Sequence, residues 1–240
     1  MRNTQPNYVH SSPWDDDIKV EARYKTIIKI YRKVFRRLSI PENSEYWTMC
    51  GAHYTRTSSI VGELGHLVNS NLIHPDQFYG VDREEKVIKT NAKYYPHIKW
   101  IHGDFLETIC ERIIGKQFNP SIINYDGVMQ PKYGSDYLKK IMKTIDNGVK
   151  NELLLISNFV LKNPYIFSEK SEFQISDIFD ILLKEYWIPD HWSIYPQGYP
   201  YKHGKTQMGT VIFIKKPHDP LNITYTKGRN LLWKEKSNAK

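Results

Sequence analysis

The chain lacks several features that would fix its class at once. It holds 2 cysteines in 240 residues, Cys50 and Cys110, 60 positions apart. That excludes a disulfide framework and a clustered cysteine zinc site, and it suits a reducing, cytoplasmic compartment. Glycine and proline number 13 each, too few for a collagenous or linker-like chain. No apolar run approaches the ~20 residues a membrane helix requires, so no membrane partner is expected. Met1–Asp15 contains no apolar stretch of the kind a secretory signal carries. The 9 histidines show no metal-ligand spacing with the cysteines, and no metal is expected.

What is present suffices for a core. Hydrophobic residues make up 40% and aromatics 13% of the chain, which argues against wholesale disorder. The length fits one large domain with an N-terminal extension. Charge is unevenly spread. Residues 1–40 carry 9 Lys/Arg and 4 Asp/Glu, residues 41–199 carry 16 and 20, and residues 200–240 carry 9 and 2. Two basic ends thus flank a mildly acidic middle. Such ends favour a polyanionic partner, because Lys and Arg release counterions from a phosphate backbone. A solubility surface with a loose tail accounts for the same counts.

Residues 1–44 read as a polar arm followed by an amphipathic helix. Ser12-Pro13-Trp14-Asp15 has the form of a capping box, and Asp15, Asp16 and Asp17 suit the first turn. Val20, Tyr24, Ile27, Ile28, Tyr31, Val34, Phe35 and Leu38 recur at helical spacing up to Ser39. Their stripe is expected to pack on the main domain. From residue 45 to 216, strand and helix alternate. Strands are predicted at 46–51, 77–81, 99–102, 121–125, 152–157, 192–195 and 210–215, and helices at 57–72, 84–94, 105–114, 134–147 and 171–187. Residues 217–240 form a basic tail. The fold class is therefore α/β, a three-layer sandwich around a mostly parallel seven-stranded sheet with an antiparallel C-terminal strand.

In such a sheet, ligands sit beyond the carboxyl ends of the strands. After the first strand comes Cys50-Gly51-Ala52-His53-Tyr54, where small residues let backbone approach a ligand. Asp82 ends the second strand, placed either for two ribose hydroxyls or to cap the helix beginning at Glu84. Asp104 follows the third strand, placed either for an adenine amino group, with Phe105 covering the ring, or again as a cap. Asp126 follows the fourth in a loop, since no helix is expected before Gly134; such loops commonly meet substrate. Asp82, Asp104 and Asp126 are spaced by 22 and 22 residues, about one strand–helix unit each.

With these residues in order, residues 45–216 resemble a class I S-adenosylmethionine-dependent methyltransferase with a reduced glycine loop. The resemblance extends to Trp192–Tyr195 and Thr210–Lys215, which bracket Gln197–Gly204 like a reversed final strand inserted as a hairpin. It implies S-adenosylmethionine as cofactor. Gly51 and Ala52 would pass the methionine part, Asp82 would bind the ribose with Arg83 beside it, and Asp104 would take the adenine amino group with Phe105 near the ring. Tyr125, Asp126 and Gly127 would form the wall where methyl meets acceptor, and Asp126 would be the catalytic residue. A second alignment makes Gly62-Glu63-Leu64-Gly65 the loop, with Glu63 as its acid.

The acceptor is poorly marked. Asn124-Tyr125-Asp126-Gly127 is not the Asp/Asn-Pro-Pro-aromatic motif of base amino methylation. Neither cysteine follows proline, so a covalent cysteine adduct on a pyrimidine is not expected. The basic ends and the aromatic segment Tyr195–His203 favour nucleic acid, RNA or DNA, as the methyl acceptor. A catalytically inactive binding or scaffold module on the same fold is the alternative. A nicotinamide enzyme is the weakest reading, since no G-x-G-x-x-G is present.

Overall fold

The computed structural model describes residues 24–50, 62–129, 131–162, 188–189, 191–195, 199–203, 206–217 and 225–226. The sequence expectations for the arm, for Gly51 and Ala52, and for the helix over 171–187 lie outside the described residues. The chain divides into two compact units, Met1–Thr108 and Ile109–Lys240.

The first unit opens on α1, Thr26–Phe35, which buries Ile27, Ile28, Ile30 and Tyr31; it stops short of the expected end at Ser39, so Leu38 of the predicted stripe is 78% exposed and Val34 and Phe35 are only partly buried. Its last turn closes on Arg36 in the left-handed region, φ 54°. β1 (Glu45–Met49), β2 (Phe78–Asp82) and β3 (Lys99–His102) pair in parallel in the order β3-β2-β1. Between them run α2 (Gly62–Asn69) and α3 (Glu85–Tyr94), and α4 (Phe105–Ile114) follows β3. Four of the five residues of β2 are buried, the pattern of a strand covered on both faces. On α3 the inward positions are Val87, Ile88 and Asn91, spaced i, i+1, i+4.

Register is pinned at the entry end by one amide. Gln77 Nε2 donates to the carbonyls of Pro41 (2.7 Å), Glu42 (3.1 Å) and Ser44 (3.1 Å), while Gln77 Oε1 accepts the His74 amide at 2.8 Å. The segment before β1 is thereby tied to the start of β2. Midway along, Gly80 faces Trp100 of β3. A Cβ on Gly80 would lie 2.5 Å from the Trp100 ring and 3.0 Å from Cys50 Sγ. Trp100 fixes itself by donating its indole N–H to the Tyr95 carbonyl at 2.9 Å.

The second unit holds β4 (Pro120–Met129), α5 (Pro131–Gly148), β5 (Leu153–Lys162), β6 (Ile188–Pro189), β7 (Trp192–Ile194), β8 (Tyr199–His203), β9 (Thr206–Lys215) and β10 (Tyr225–Thr226). β4 and β5 are parallel; β5, β8 and β7 each pair antiparallel with β9. β6 and β10 form a separate antiparallel pair. α5 turns Leu138, Ile141, Met142 and Ile145 inward, a stripe at i, i+3, i+4, i+7. The expected α/β class with a reversed C-terminal strand is what the chain adopts, and the reversal is a β8–β9 hairpin. Strand β9 begins at Thr206, four residues before the sequence-based start at Thr210.

The tail end of β9 meets a buried polar cluster. Asp146 accepts hydrogen bonds from His191 Nε2 (2.7 Å) and Trp192 Nε1 (2.8 Å). Lys215 is wholly buried, its Nζ donating to the carbonyls of Asn151 (3.1 Å) and Lys216 (3.4 Å). Burial lowers the Lys215 pKa to about 8, and the charge of Asp146 acts the other way.

Two tests follow from these contacts. Gly80→Ala should cost about 1–3 kcal/mol of stability by overpacking against Trp100, read as a lower urea midpoint at unchanged slope. Lys215 binds its proton less tightly folded than unfolded, so its charged form weakens the native state. Stability should therefore gain from this group as pH rises from about 8 towards the unfolded value near 10.5. In urea titrations across that range, Lys215→Met should lack the gain that the wild type shows.

Candidate active site

The carboxyl ends of β2 and β3 carry the first two aspartates. Parallel register sets Asp82 opposite His102, and the Gly103 amide donates to the Asp82 carbonyl at 3.0 Å. Asp82 Oδ1 accepts the Glu84 amide at 2.7 Å. This is a turn two residues long ahead of α3; the helix cap itself is Glu84. Asp82 Oδ2 has no hydrogen-bond partner among the described residues. Burial raises the Asp82 pKa, the Glu84 amide opposes that shift, the Glu84 charge adds to it, and His102 lowers it. A half-buried carboxylate with one open oxygen at a strand end can accept hydroxyl protons from a ligand.

Asp104 is spent differently. Its Oδ1 accepts the amides of Leu106 (2.9 Å) and Glu107 (3.1 Å), which caps α4. Its Oδ2 accepts Arg83 Nε at 2.9 Å and Arg83 Nη2 as well. An ionised carboxylate offers about four lone-pair sites, and these four donors fill them. Arg83 is 70% exposed on this pair, and its own carbonyl lies 3.0 Å from His102 Nε2. The strand ends thus gather Asp82, Arg83, His102 and Asp104. Phe105 belongs to the same stretch, but its ring is buried in the core at 2% exposure.

Tyr125 and Asp126 belong to the second unit. Tyr125 is 1% exposed, its ring stacked on Tyr137 of α5 at 5.1 Å. Asp126 does not lie in a loop: β4 continues to Met129, with its register against β5 shifting between Tyr125 and Met129. The helix also begins earlier than expected, at Pro131. Asp126-Gly127 resembles a strand end in sequence, and a bulge lets the strand run through it. Gly62-Glu63-Leu64-Gly65, the second candidate for the glycine loop, forms the first turn of α2 instead.

The sequence offers Glu63 only as the acid of the second loop alignment and does not bring Asn124, Asn158 and Thr210 together. Glu63, 5% exposed, accepts the Tyr46 hydroxyl and Thr48 Oγ1 (3.0 Å). Across β4, β5 and β9, Asn158 Nδ2 donates to Asn124 Oδ1 at 3.4 Å, and Thr210 Oγ1 donates to Asn158 Oδ1 at 2.6 Å. All three are buried. The signal was available in Leu153–Lys162, where Ser157-Asn158 interrupts an otherwise apolar run. Cys50 lies in the core beside Val87, Ile88 and Trp100. Burial first, then the charges of Asp82 and Glu63, push its thiol pKa well up. The thiol is therefore held protonated and is no nucleophile. Among the described residues, no cluster of three His, Cys, Asp or Glu is placed to hold a metal, and no helix is long and apolar enough to cross a membrane.

No family model and no curated protein matches the sequence. Solved structures match the fold. The O-methyltransferase from Bacillus cereus, in complex with SAH (S-adenosylhomocysteine), is 11% identical with a TM-score of 0.50, over 85% of this chain and 84% of its own. The N-methyltransferase NodS from Bradyrhizobium japonicum WM9 is 11% identical with a TM-score of 0.47, over 85% and 99%. The methyltransferase homolog protein from Pyrococcus horikoshii is 11% identical with a TM-score of 0.46, over 88% and 73%. At such identities the likeness is one of fold: this chain has the class I Rossmann-like fold of S-adenosylmethionine-dependent methyltransferases.

The two thiols should separate cleanly. Cys110 is only partly buried, with a 3.9 Å contact to Thr144 Oγ1. A thiol reagent at pH 8 should titrate one group in the native protein and two after unfolding, and Cys110→Ser should remove the native signal.

Proposed function

We propose that the protein is an S-adenosylmethionine-dependent methyltransferase whose acceptor is a nucleic acid. The observation that carries the cofactor half is Asp82: half-buried, at the end of a parallel strand, with Oδ2 open. A carboxylate so placed suits the paired hydroxyls of a ribose. Asp104 serves the adenine amino group through Oδ2 once the exposed Arg83 guanidinium yields it, and Phe105 backs that end from the core. Gly51 and Ala52, outside the described residues, are assigned to the methionine part on sequence alone.

When bound, S-adenosylmethionine supplies a sulfonium methyl for in-line displacement by an acceptor lone pair. The chain's own residues hold the two reactants in line, an effect worth up to about 7–11 kcal/mol when the geometry is near attack. Asp126 is assigned to orient the acceptor or to take its proton if it has one to lose. Tyr125, fixed by Tyr137, stiffens the strand that carries Asp126. The nucleic-acid half is supported by the basic ends of the chain, with 9 Lys/Arg in each of residues 1–40 and 200–240.

Calorimetry with SAH tests the first half. Asp82→Asn should weaken binding about ten-fold or more, a loss of roughly 1.4 kcal/mol, with the thermal melt unchanged. Wild-type affinity should also fall on acidification as Asp82 takes up its proton, which burial makes it do at a higher pH than an ordinary aspartate. No binding at millimolar SAH would leave the scaffold reading in its place. Transfer of labelled methyl to RNA or DNA tests the second half.

A further inference from the structure

α1 and the turn after it carry a row of exposed cations, of which Lys25, Lys33 and Arg37 also have interaction partners; Glu21 and Glu42 flank the segment. From Tyr24 to Pro41 the sequence holds Lys25, Lys29, Arg32, Lys33, Arg36 and Arg37 and no Asp or Glu. Lys25, Lys29, Lys33, Arg36 and Arg37 are exposed. At 100° per residue, Lys25, Lys29 and Lys33 fall within one arc of the helix, and Arg36 follows as its left-handed cap. With a rise of 1.5 Å per residue, Lys29 to Arg36 spans about 10 Å. The helix buries its other side, Ile27, Ile28, Ile30 and Tyr31, in its own unit. The turn after α1 is also held. Arg32 donates to the Leu38 carbonyl (3.0 Å) and the Ser70 carbonyl (2.5 Å), so the segment bearing Arg36 and Arg37 is tied to the end of α2.

We propose that this face of α1 tracks the phosphate backbone of the nucleic acid, positioning the polymer without reading its sequence. The inference rests on the nucleic-acid half of the function proposed above and is independent of catalysis. A row of point charges a few ångströms apart matches a chain of phosphates, and each contact releases counterions. An anionic membrane fits less well. A surface helix binds lipid through an exposed apolar face, and here that face is buried.

The test uses the full chain and two probes, a single-stranded RNA and a DNA duplex of about 20 nucleotides per strand, by fluorescence anisotropy over a salt series. Lys29→Glu, Lys33→Glu and Arg36→Glu are combined in one variant. A second carries Gln at the same three positions, so that the result survives if the reversal of charge harms folding. The expected result is wild-type binding to at least one probe. The Glu variant should lose affinity about ten-fold or more. For the Gln variant the salt slope on RNA should shrink by about 2, as three lost contacts on a single strand imply. SAH affinity should be unchanged in both. Equal affinity and slope in wild type and Gln variant would overturn the role of α1 and leave the nucleic-acid reading standing. Failure of the wild type to bind either probe at low salt would overturn both. Binding to phosphatidylserine vesicles that depends on these three residues, with no nucleic-acid binding, would also overturn the proposal in favour of a lipid surface.

Discussion

The parallel register of β1, β2 and β3 is the constraint on which the candidate site depends. Side chains along a strand alternate faces, so a slip of one residue would move every side chain of β2 to the opposite face. Two contacts forbid the slip. Gln77 ties three carbonyls of the segment before β1 to the start of β2, and Trp100 fills the space that the missing side chain of Gly80 leaves. With both satisfied, Asp82 and His102 end their strands side by side. The buried amide at the entry end and the ring midway along are thus what hold a carboxylate in position at the far end of these strands.

The same strand ends show how one residue type serves two purposes. Asp82 and Asp104 follow successive parallel strands, each at the entrance to a helix. Asp104 carries the helix cap and an arginine, which satisfies both its oxygens. Asp82 gives one oxygen to a turn amide and keeps the other. The cost of that is seen in its raised pKa, because a carboxylate losing water without gaining full compensation is harder to ionise. Functional groups are often the ones whose local satisfaction is incomplete.

Much of this was legible in the residues. β3 and α4 begin and end where the apolar pattern and the Gly103-Asp104 break place them, and α1 buries Ile27, Ile28 and Tyr31 of the stripe its spacing announces but leaves Leu38 out. The spacing of the aspartates marks two strand ends, at Asp82 and just before Asp104, and misplaces the third, since β4 runs on past Asp126 to Met129. What the sequence does not encode locally is the partner of each oxygen. Asp82 and Asp104 each stand between a strand and a helix, and what separates them is the cap that only Asp104 forms and the approach of Arg83 to Asp104 from 21 residues away. Asp126-Gly127 has turn composition yet lies inside β4, at the register shift between Tyr125 and Met129, where an irregularity absorbs the break and pairing with β5 resumes beyond it. β9 was read short for a related reason: Thr206-Gln207 and Gly209 carry little strand signal by themselves, and their pairing with β8 supplies it.

The Asn124–Asn158–Thr210 ladder has a consequence for how the second unit assembles. An all-apolar run such as Leu153–Ile156 packs acceptably in several alignments, because one aliphatic contact substitutes for another. Two amides and a hydroxyl in a dry interior do not permit that freedom. Sliding β9 along β5 would part the Thr210 hydroxyl from Asn158 Oδ1, and sliding β5 along β4 would part the two amides, each loss at a penalty of about 1–3 kcal/mol. Three polar side chains therefore act as a key, admitting one alignment of the hairpin and rejecting those that greasy contacts alone would tolerate.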